Sequence, residues 1–311
     1  MLDSLIQVGD TVTQDGISVT PLFPRAMPRT AYITLDVALA QGLRIAEIGA
    51  AGRVPELVVQ NPLETGVLLY DGEELVGAKQ NRILNVTVLV AAGSELLIPV
   101  SCVEAGRWRD VSATFGSASH TASPRVRARK AVMLDAAPLA RGVAQSEVWA
   151  AVADESIMHG VHSPTGAQND VFEARRSDLG ALRAAFPLQP GQCGAILSLD
   201  GCPSCLDYVS RPDAFAGLHG KLLDGYLLDA LARTAPTAAA AEPEEFLARL
   251  ATGIQRKQPS AGLGSDVRLT APDVIASGLE LDEELLQLSA YAADSRYRRA
   301  DGTIARPSRR R

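Results

Sequence analysis

Cysteine, net positive charge and long apolar runs are all scarce in this chain, and each scarcity removes a class of function. The four cysteines in 311 residues, Cys102, Cys193, Cys202 and Cys205, are too few for a disulfide scaffold. Thirty lysines and arginines stand against 36 aspartates and glutamates, giving a net charge of -6 and a pI of about 5.3. That balance argues against a broad basic face for duplex nucleic acid and leaves room only for a local basic patch. No stretch approaches the roughly 20 consecutive apolar residues of a membrane-spanning helix. The opening MLDSLIQVGDTVTQDG has no basic segment followed by an apolar one, so no secretory signal is read there and a cytoplasmic location is expected. No GxGxxG, Walker-type loop, HExxH or GxSxG occurs, and no repeat with a solenoid period.

What is present points to a packed core. Hydrophobic residues make up 47% and charged residues 21%, enough for one large domain or two modest ones. The first hundred or so residues are β-rich. Ile17 to Thr20, Val67 to Tyr70 and Ile83 to Val90 are dense in β-branched residues, and Asn61-Pro62, Asp71-Gly72 and Ala92-Gly93-Ser94 punctuate them. One short helix is expected after Thr34, stopping at Gly42. Strands at short spacing imply antiparallel pairing in a sandwich or barrel-like sheet.

The pattern changes near residue 112. Ser112 to His120 reads as a loop. Helical periodicity starts at Pro124, with Val126, Met133 and Leu134 on one stripe and Val143, Val148, Trp149 and Val152 on another. His159 to Asn169 reads as a loop and Asp178 to Phe186 as a short helix. Gly194 to Leu199 is expected to be a strand turning at Asp200-Gly201. Helices are expected at Ala214 to Ala232 and Glu244 to Gln255, joined by an Ala/Pro linker over 235–243. Val267 to Leu269 and Leu286 to Tyr291 suit a final pair of strands. The expected class is therefore α+β, with an antiparallel β-rich N-terminal half and helices concentrated in the C-terminal half. The β-rich part is 1–111 and the mixed part 112–293. A basic tail over 294–311 suits a solvated end, with a weak polyanion contact as the alternative.

Chemistry concentrates between Tyr70 and Arg109. An apolar strand ends at Tyr70, a turn follows, and Glu73, Glu74, Lys79, Gln80, Asn81 and Arg82 arrive almost together. A later strand, Leu96 to Val100, delivers Ser101, Cys102, Glu104, Arg107 and Trp108. Loops between firmly buried strands are where binding and catalytic groups are commonly held. Lys79 and Arg82 suit phosphate or carboxylate. Gln80 and Asn81 suit a base edge, a ribose or an amide. Glu73, Glu74 and Glu104 suit a divalent metal or acid–base work. A cation near Cys102, with Arg107 as the candidate, would favour its thiolate. The competing reading is a salt-bridged turn, with Glu73 and Glu74 paired to Lys79 and Arg82 across a hairpin.

DGEELVGAKQNR at 71–82, followed by PVSCVEAGRW at 99–108, resembles the ADP-ribosylglycohydrolase- and rhodanese-phosphatase-superfamily-associated protein domain. The resemblance extends to YITLDVALAQGLRIAEIG and VPELVVQNP, and more weakly to VFEARR, GAILSLDG and KLLDGYLLDAL, so that 1–293 would be a single family domain. It implies no defined chemistry. It places the chain in the company of enzymes that remove ADP-ribose, and so implies an NAD-derived, ADP-ribosyl or other phosphorylated nucleotide-like ligand. On that expectation Lys79, Gln80, Asn81, Arg82, Arg107 and Trp108 bind the ligand. Glu73, Glu74, Cys102 and Glu104 carry any catalysis or hold a divalent metal. Two alternatives remain open: a non-catalytic sensor or docking module for ADP-ribosylglycohydrolase-type enzymes, and a structural ion-pair network without a ligand.

Other candidates are less specific. Cys202-Pro203-Ser204-Cys205 is a lone CxxC that falls on what reads as a hairpin turn after Leu199-Asp200-Gly201, with a redox pair as one reading of it. With Cys193 and His219 it has the composition, but not the spacing, of a zinc site. His159 and His162 lie in a Gly- and Pro-containing loop that argues against a helical metal pair and suits a turn or a covering loop. Trp108 and Trp149 suit core or rim packing better than base stacking.

Overall fold

The structure is a computed structural model of the chain and describes residues 5–49, 52, 55–136, 141–233 and 243–292, the side chains of 135, 136 and 141–144 excepted. Of the linker expected over 235–243, Pro243 opens a helix and 235–242 lie outside the described residues, as does the tail over 294–311. The chain begins with β1 (Ile6–Val8), β2 (Val12–Gln14), β3 (Ile17–Pro24) and β4 (Tyr32–Thr34), which runs into α1 (Leu35–Ala40). There follow β5 (Arg44–Ala46), β6 (Glu56–Asn61), β7 (Gly66–Leu69), β8 (Glu73–Gly77), β9 (Arg82–Leu84), β10 (Val88–Val90), β11 (Ser94–Cys102) and β12 (Phe115–Thr121). Helices α2 (Pro124–Ala136), α3 (Arg141–Met158) and α4 (Gln168–Arg183) come next. Then come the hairpin β13 (Gly194–Leu199) and β14 (Cys202–Val209), and α5 (Pro212–Leu231) and α6 (Pro243–Ala251). The last described elements are β15 (Ile254–Pro259), β16 (Ser265–Ala271), β17 (Val274–Leu281) and β18 (Glu284–Ala292). The chain is thus α+β, with antiparallel sheets dominant and helices placed more in its middle and C-terminal parts.

The largest sheet joins the two ends of the chain in the order β1-β3-β13-β14-β18-β17-β16-β15, with β2 also on β3. Its hairpins turn at Asp15-Gly16, Asp200-Gly201 and Asp282-Glu283, where both residues of each pair have positive φ. That geometry matches the twist of antiparallel strands. A second sheet, β12-β8-β9-β11-β6-β5, brings its own edges β5 and β12 into contact. It shares a core with the three-stranded sheet β10-β7-β4, in which β4 and β7 pair in parallel. Leu35, Ile45, Leu57, Leu69, Leu75, Leu84 and Ile98 fill this barrel-like unit.

Helix α5 joins the two halves. It packs against β4 and β12 on one side and β3, β13 and β14 on the other. Its second half, Lys221 to Ala230, is buried on every face, and the charged Lys221, Asp224 and Asp229 within it are held by ion pairs. Phe215, Leu218, Leu222, Leu227 and Leu228 lie in the core between, each contributing roughly 1.5–3 kcal/mol through burial. Among the described residues no helix is long and apolar enough to cross a membrane.

Several local expectations need correction. Ser112 to His120 is not all loop, because Phe115–Thr121 forms β12 against β8. Its small residues give no β signal, and α5 comes close to its end through Gly225, where a Cβ would meet Thr121 Oγ1 at 3.1 Å. Ile83 to Val90 is two strands. The chain leaves β9, which pairs β11, and enters β10, which pairs β7. The helix expected to reach Gln255 ends at Ala251, where Gly253 N–H closes onto Leu250 O, and β15 begins at Ile254. Helix α4 starts at Gln168, ten residues before the expected Asp178. The final pair of strands is a four-stranded meander, β15 to β18.

Candidate functional site

Strand pairing brings the two central blocks together. β9 lies between β8 and β11, with Cys102 directly opposite Arg82 and Ser101 opposite Ile83. The turn at Gly72, with φ +82°, lets the chain reverse tightly against Arg127. Gly77 and Ala78 both have positive φ, and this bend sends Lys79 to Asn81 out as a loop.

Most of the polar groups in these blocks are committed to internal partners. Glu73 is buried and accepts from Lys221 Nζ at 2.9 Å and from the Tyr70 N–H at 2.9 Å. Burial pushes its carboxyl above the ordinary range, with Lys221 opposing that shift. Glu74, also buried, accepts from Asn81 Nδ2 at 3.1 Å and from His120 Nε2 at 2.9 Å. Phe172 stacks on His120 with ring centroids 3.6 Å apart. The hairpin pairing of Glu73 and Glu74 with Lys79 and Arg82 does not form. The carboxylates turn inward to α5 and β12, and the two cations pair elsewhere.

Glu104 binds the two loops to each other. It accepts from Arg107 at 2.6 Å, from the Asn81 N–H at 3.1 Å and from Thr165 Oγ1 at 2.9 Å. Burial alone would raise its carboxyl, but these donors outweigh it and hold the pKa below the ordinary value. Arg107 also donates to Ala78 O at 2.7 Å and Asn81 Oδ1 at 3.0 Å.

Arg82 is fully buried, and its guanidinium lies 5.5 Å from the Trp108 ring centroid. One terminal nitrogen donates to Gln80 Oε1 at 2.7 Å and to Cys102 Sγ; the other reaches Glu47 Oε1 at 3.4 Å. The cation beside Cys102 is thus Arg82, where Arg107 was expected. Burial nevertheless outweighs it and pushes the thiol up to about 11, so the thiol keeps its proton at neutral pH. Gln145 clamps the Cys102 backbone, accepting from its N–H at 2.7 Å and donating to its carbonyl at 2.9 Å. Trp108 is not core: it is 49% exposed, and Trp149 is 40% exposed. Lys79 keeps 13% side-chain exposure and meets the exposed Asp110 at 3.2 Å.

A second buried network lies behind the first. Asp207 on β14 accepts from Arg127 at 2.6 and 2.9 Å, Tyr70 OH at 2.5 Å, Tyr226 OH at 2.8 Å and Ser289 Oγ at 2.8 Å. One turn along α2, Lys130 pairs with Asp71 and donates to Leu84 O at 2.7 Å. Burial draws Lys130 down to about 8, with Asp71 opposing. Sequence reasoning missed these residues; their one local signal was the i, i+3 spacing of Arg127 and Lys130. Glu155 on α3 is buried, and neither of its carboxylate oxygens completes a hydrogen bond among the described residues. Burial, then Asp229, pushes it up to about 8, although the Ser123 hydroxyl favours the ionised form.

The remaining candidates do not converge. Cys193 belongs to the core on one face of the large sheet and Cys205 to the core on the other, while Cys202 is exposed. Cys202 and Cys205 lie within β14 and not on the turn before it. His159 is buried and His162 exposed. Among the described residues no group of three or more His, Cys, Asp or Glu side chains is disposed to hold a metal ion.

The model of the ARG and Rhodanese-Phosphatase-superfamily-associated Protein domain matches residues 5–291. No curated protein and no solved structure matches the chain.

Proposed function

The chain belongs to the ARG and Rhodanese-Phosphatase-superfamily-associated Protein domain family, and from that premise we propose that it is a non-catalytic recognition module for a phosphorylated, nucleotide-like ligand of the ADP-ribosyl or NAD-derived class. It would serve beside ADP-ribosylglycohydrolase-type enzymes. The observation that carries this reading is the division of the site. Glu73, Glu74, Cys102 and Glu104 are buried and held by fixed partners. Trp108, Lys79 and Arg109 keep contact with solvent. A general acid or base must reach the proton it transfers, and a nucleophile must reach its electrophile. An exposed indole next to Arg109, with Lys79 on a loop fastened to its own, has the composition that takes a planar base and a phosphate.

Recognition divides among these groups. Trp108 stacks on the base, and Lys79 and Arg109 meet the phosphates. The Glu104–Arg107–Asn81 contacts hold the Lys79 loop and the Trp108 loop in one geometry, so that little ordering is left to occur on binding.

Titration of the full chain with ADP-ribose, ADP and NAD, followed by tryptophan fluorescence and thermal shift, tests this. The expected result is quenching and a raised Tm with at least one of them, the ligand being recovered unchanged. Trp108→Ala should weaken binding roughly 5- to 150-fold, the worth of one base–aromatic stack, with little change in the Tm of the free protein. Catalytic consumption of the ligand, or no response to any of the three, would sink the proposal.

A further inference from the structure

The ion pair between Arg82 and Glu47 is incomplete at both ends. Among the described residues Arg82 Nε has no hydrogen-bond partner, and neither has Glu47 Oε2, although both atoms are buried. The single contact between the two side chains is 3.4 Å, longer than the roughly 2.7–2.9 Å of a good charge-assisted bond. The opposite corner of the guanidinium is firmly engaged by Gln80 and Cys102. The poorly used edge is therefore the Nε and NH2 fork, which matches two oxygens of a phosphate or carboxylate. Glu47 is the outer partner, with 8% side-chain exposure against none for Arg82.

A second cation stands close by. Glu47 Oε2 and Lys79 Cδ each lie 3.2 Å from the position a Cβ would take on Gly52, and Gly52 has φ +73°. A side chain there would press on both groups; glycine leaves them that room. Among the described residues Lys79 pairs with Asp110, whose side chain is 63% exposed. The Glu47 carboxylate thus meets Arg82 through one oxygen, and through the other borders the Gly52 position that the Lys79 chain also borders, while Trp108 lies over Arg82.

We propose that Glu47 is an internal stand-in for the ligand: its carboxylate sits in a diphosphate seat formed by Arg82 and Lys79, and it must swing out before a phosphorylated ligand can bind. This rests on the recognition reading for the class of ligand, while the seat itself is tested separately. Glu47 acts as a built-in competitor. It lowers apparent affinity by the fraction of molecules in which it occupies the seat, and it spares Arg82 from being buried without any anion.

The test is isothermal titration calorimetry of inorganic diphosphate, and separately of ADP-ribose, into the full chain as wild type, Glu47→Gln and Arg82→Lys. If the open state is about a tenth of the population, Glu47→Gln tightens diphosphate binding roughly tenfold. Arg82→Lys loses that binding, because an ammonium cannot present the fork. A folded Glu47→Gln protein that binds diphosphate no more tightly than wild type overturns the stand-in, even where ADP-ribose binds through Trp108. A gain for diphosphate with no nucleotide bound by any variant upholds the seat and removes the recognition reading. Should Glu47→Gln not fold, Glu47→Asp draws the carboxylate back by one methylene and must show the same direction of change; no gain there overturns the seat as well.

Discussion

Replacing Lys221 by Met tests whether the buried carboxylates of the central segment are structural. Lys221 is almost fully buried and contacts Glu73 at 2.9 Å, Asp36 at 2.6 Å and Ser117 Oγ at 2.7 Å. The Asp36 side chain is 47% exposed, so water screens most of its share. Glu73 is 1% exposed and has no such relief. Removing one member of a buried pair costs about 3–5 kcal/mol, because the other charge is left without its partner. Glu73 can limit that cost by taking up a proton. Its carboxyl already lies above the ordinary 4.5 through burial, and Lys221 is the strongest influence opposing the rise. In Lys221→Met the folded-state pKa climbs further.

The sign of the pH effect follows. A carboxyl whose folded pKa exceeds its unfolded one binds its proton more tightly when folded. Its favourable contribution is present below the unfolded pKa and is lost as pH rises through the folded pKa. Lys221→Met should therefore be penalised least at acid pH and progressively more toward neutrality, over a wider window than wild type. The double variant Lys221→Met with Glu73→Gln should recover about 1–3 kcal/mol of the loss as coupling energy. Urea unfolding followed by circular dichroism, at acid and at neutral pH, measures all four corners of the cycle. Single effects that add within about 0.5 kcal/mol, or a Lys221→Met penalty that does not change with pH, would refute the reasoning.

Two further outcomes follow from the buried groups behind the segment. Glu155, held near 8 against an unfolded value near 4.5, should make wild-type stability fall as pH rises through that window, by at most about 5 kcal/mol at ~1.36 kcal/mol per unit. Glu155→Gln should flatten that slope in a Tm-against-pH series, and an unchanged slope would assign it to other groups. Gly72→Ala places a Cβ 2.6 Å from Arg127 Cδ at φ +82°. Arg127 is pinned by Asp207 and cannot yield, so a loss of about 2–4 kcal/mol is expected from strain and overpacking together; a loss below about 1 kcal/mol would show that the pair gives way.

The family and the meeting of the two central blocks were legible along the chain because polar clusters at the ends of apolar strands survive as local patterns. Arg82 and Cys102 are close because β9 and β11 pair antiparallel while the intervening β10 goes to another sheet, and an apolar strand joining the two blocks suggested that their polar ends could meet. Their partners were not legible. Lys221 lies 148 residues beyond Glu73, and Asp207 lies 137 beyond Tyr70. Periodicity sends Arg127 and Lys130 to the wet face of a helix. Here that face meets the core, and only paired carboxylates from β14 and the Asp71 turn make its burial tolerable. β12 and β15 escaped for opposite reasons. FGSASHT has few β-branched residues, and IQRKQP is exposed along its whole length at the sheet edge, laddered to β16. In both, the hydrogen-bond partner decides the strand, and residue type is silent about partners.

The same networks bear on why the central blocks carry so many charges that never meet solvent. Asn81 takes part in holding both strands and loop: its N–H goes to Glu104, its amide nitrogen to Glu74 and its amide oxygen to Arg107. Arg107 in turn spans Glu104 and the carbonyls of Gly77 and Ala78. The loop bearing Lys79 and the loop bearing Trp108 are therefore fastened to a common set of buried atoms, and neither can shift without breaking charge-assisted bonds in a low-dielectric setting. Residues that look catalytic by type can thus act as the frame of a binding face. They differ from a catalytic set in one physical respect: their lone pairs and protons are already spent inside the protein. Arg82 departs from that rule, since one edge of its guanidinium is still poorly satisfied. A ligand that completes that edge would gain what the fold alone leaves unmade.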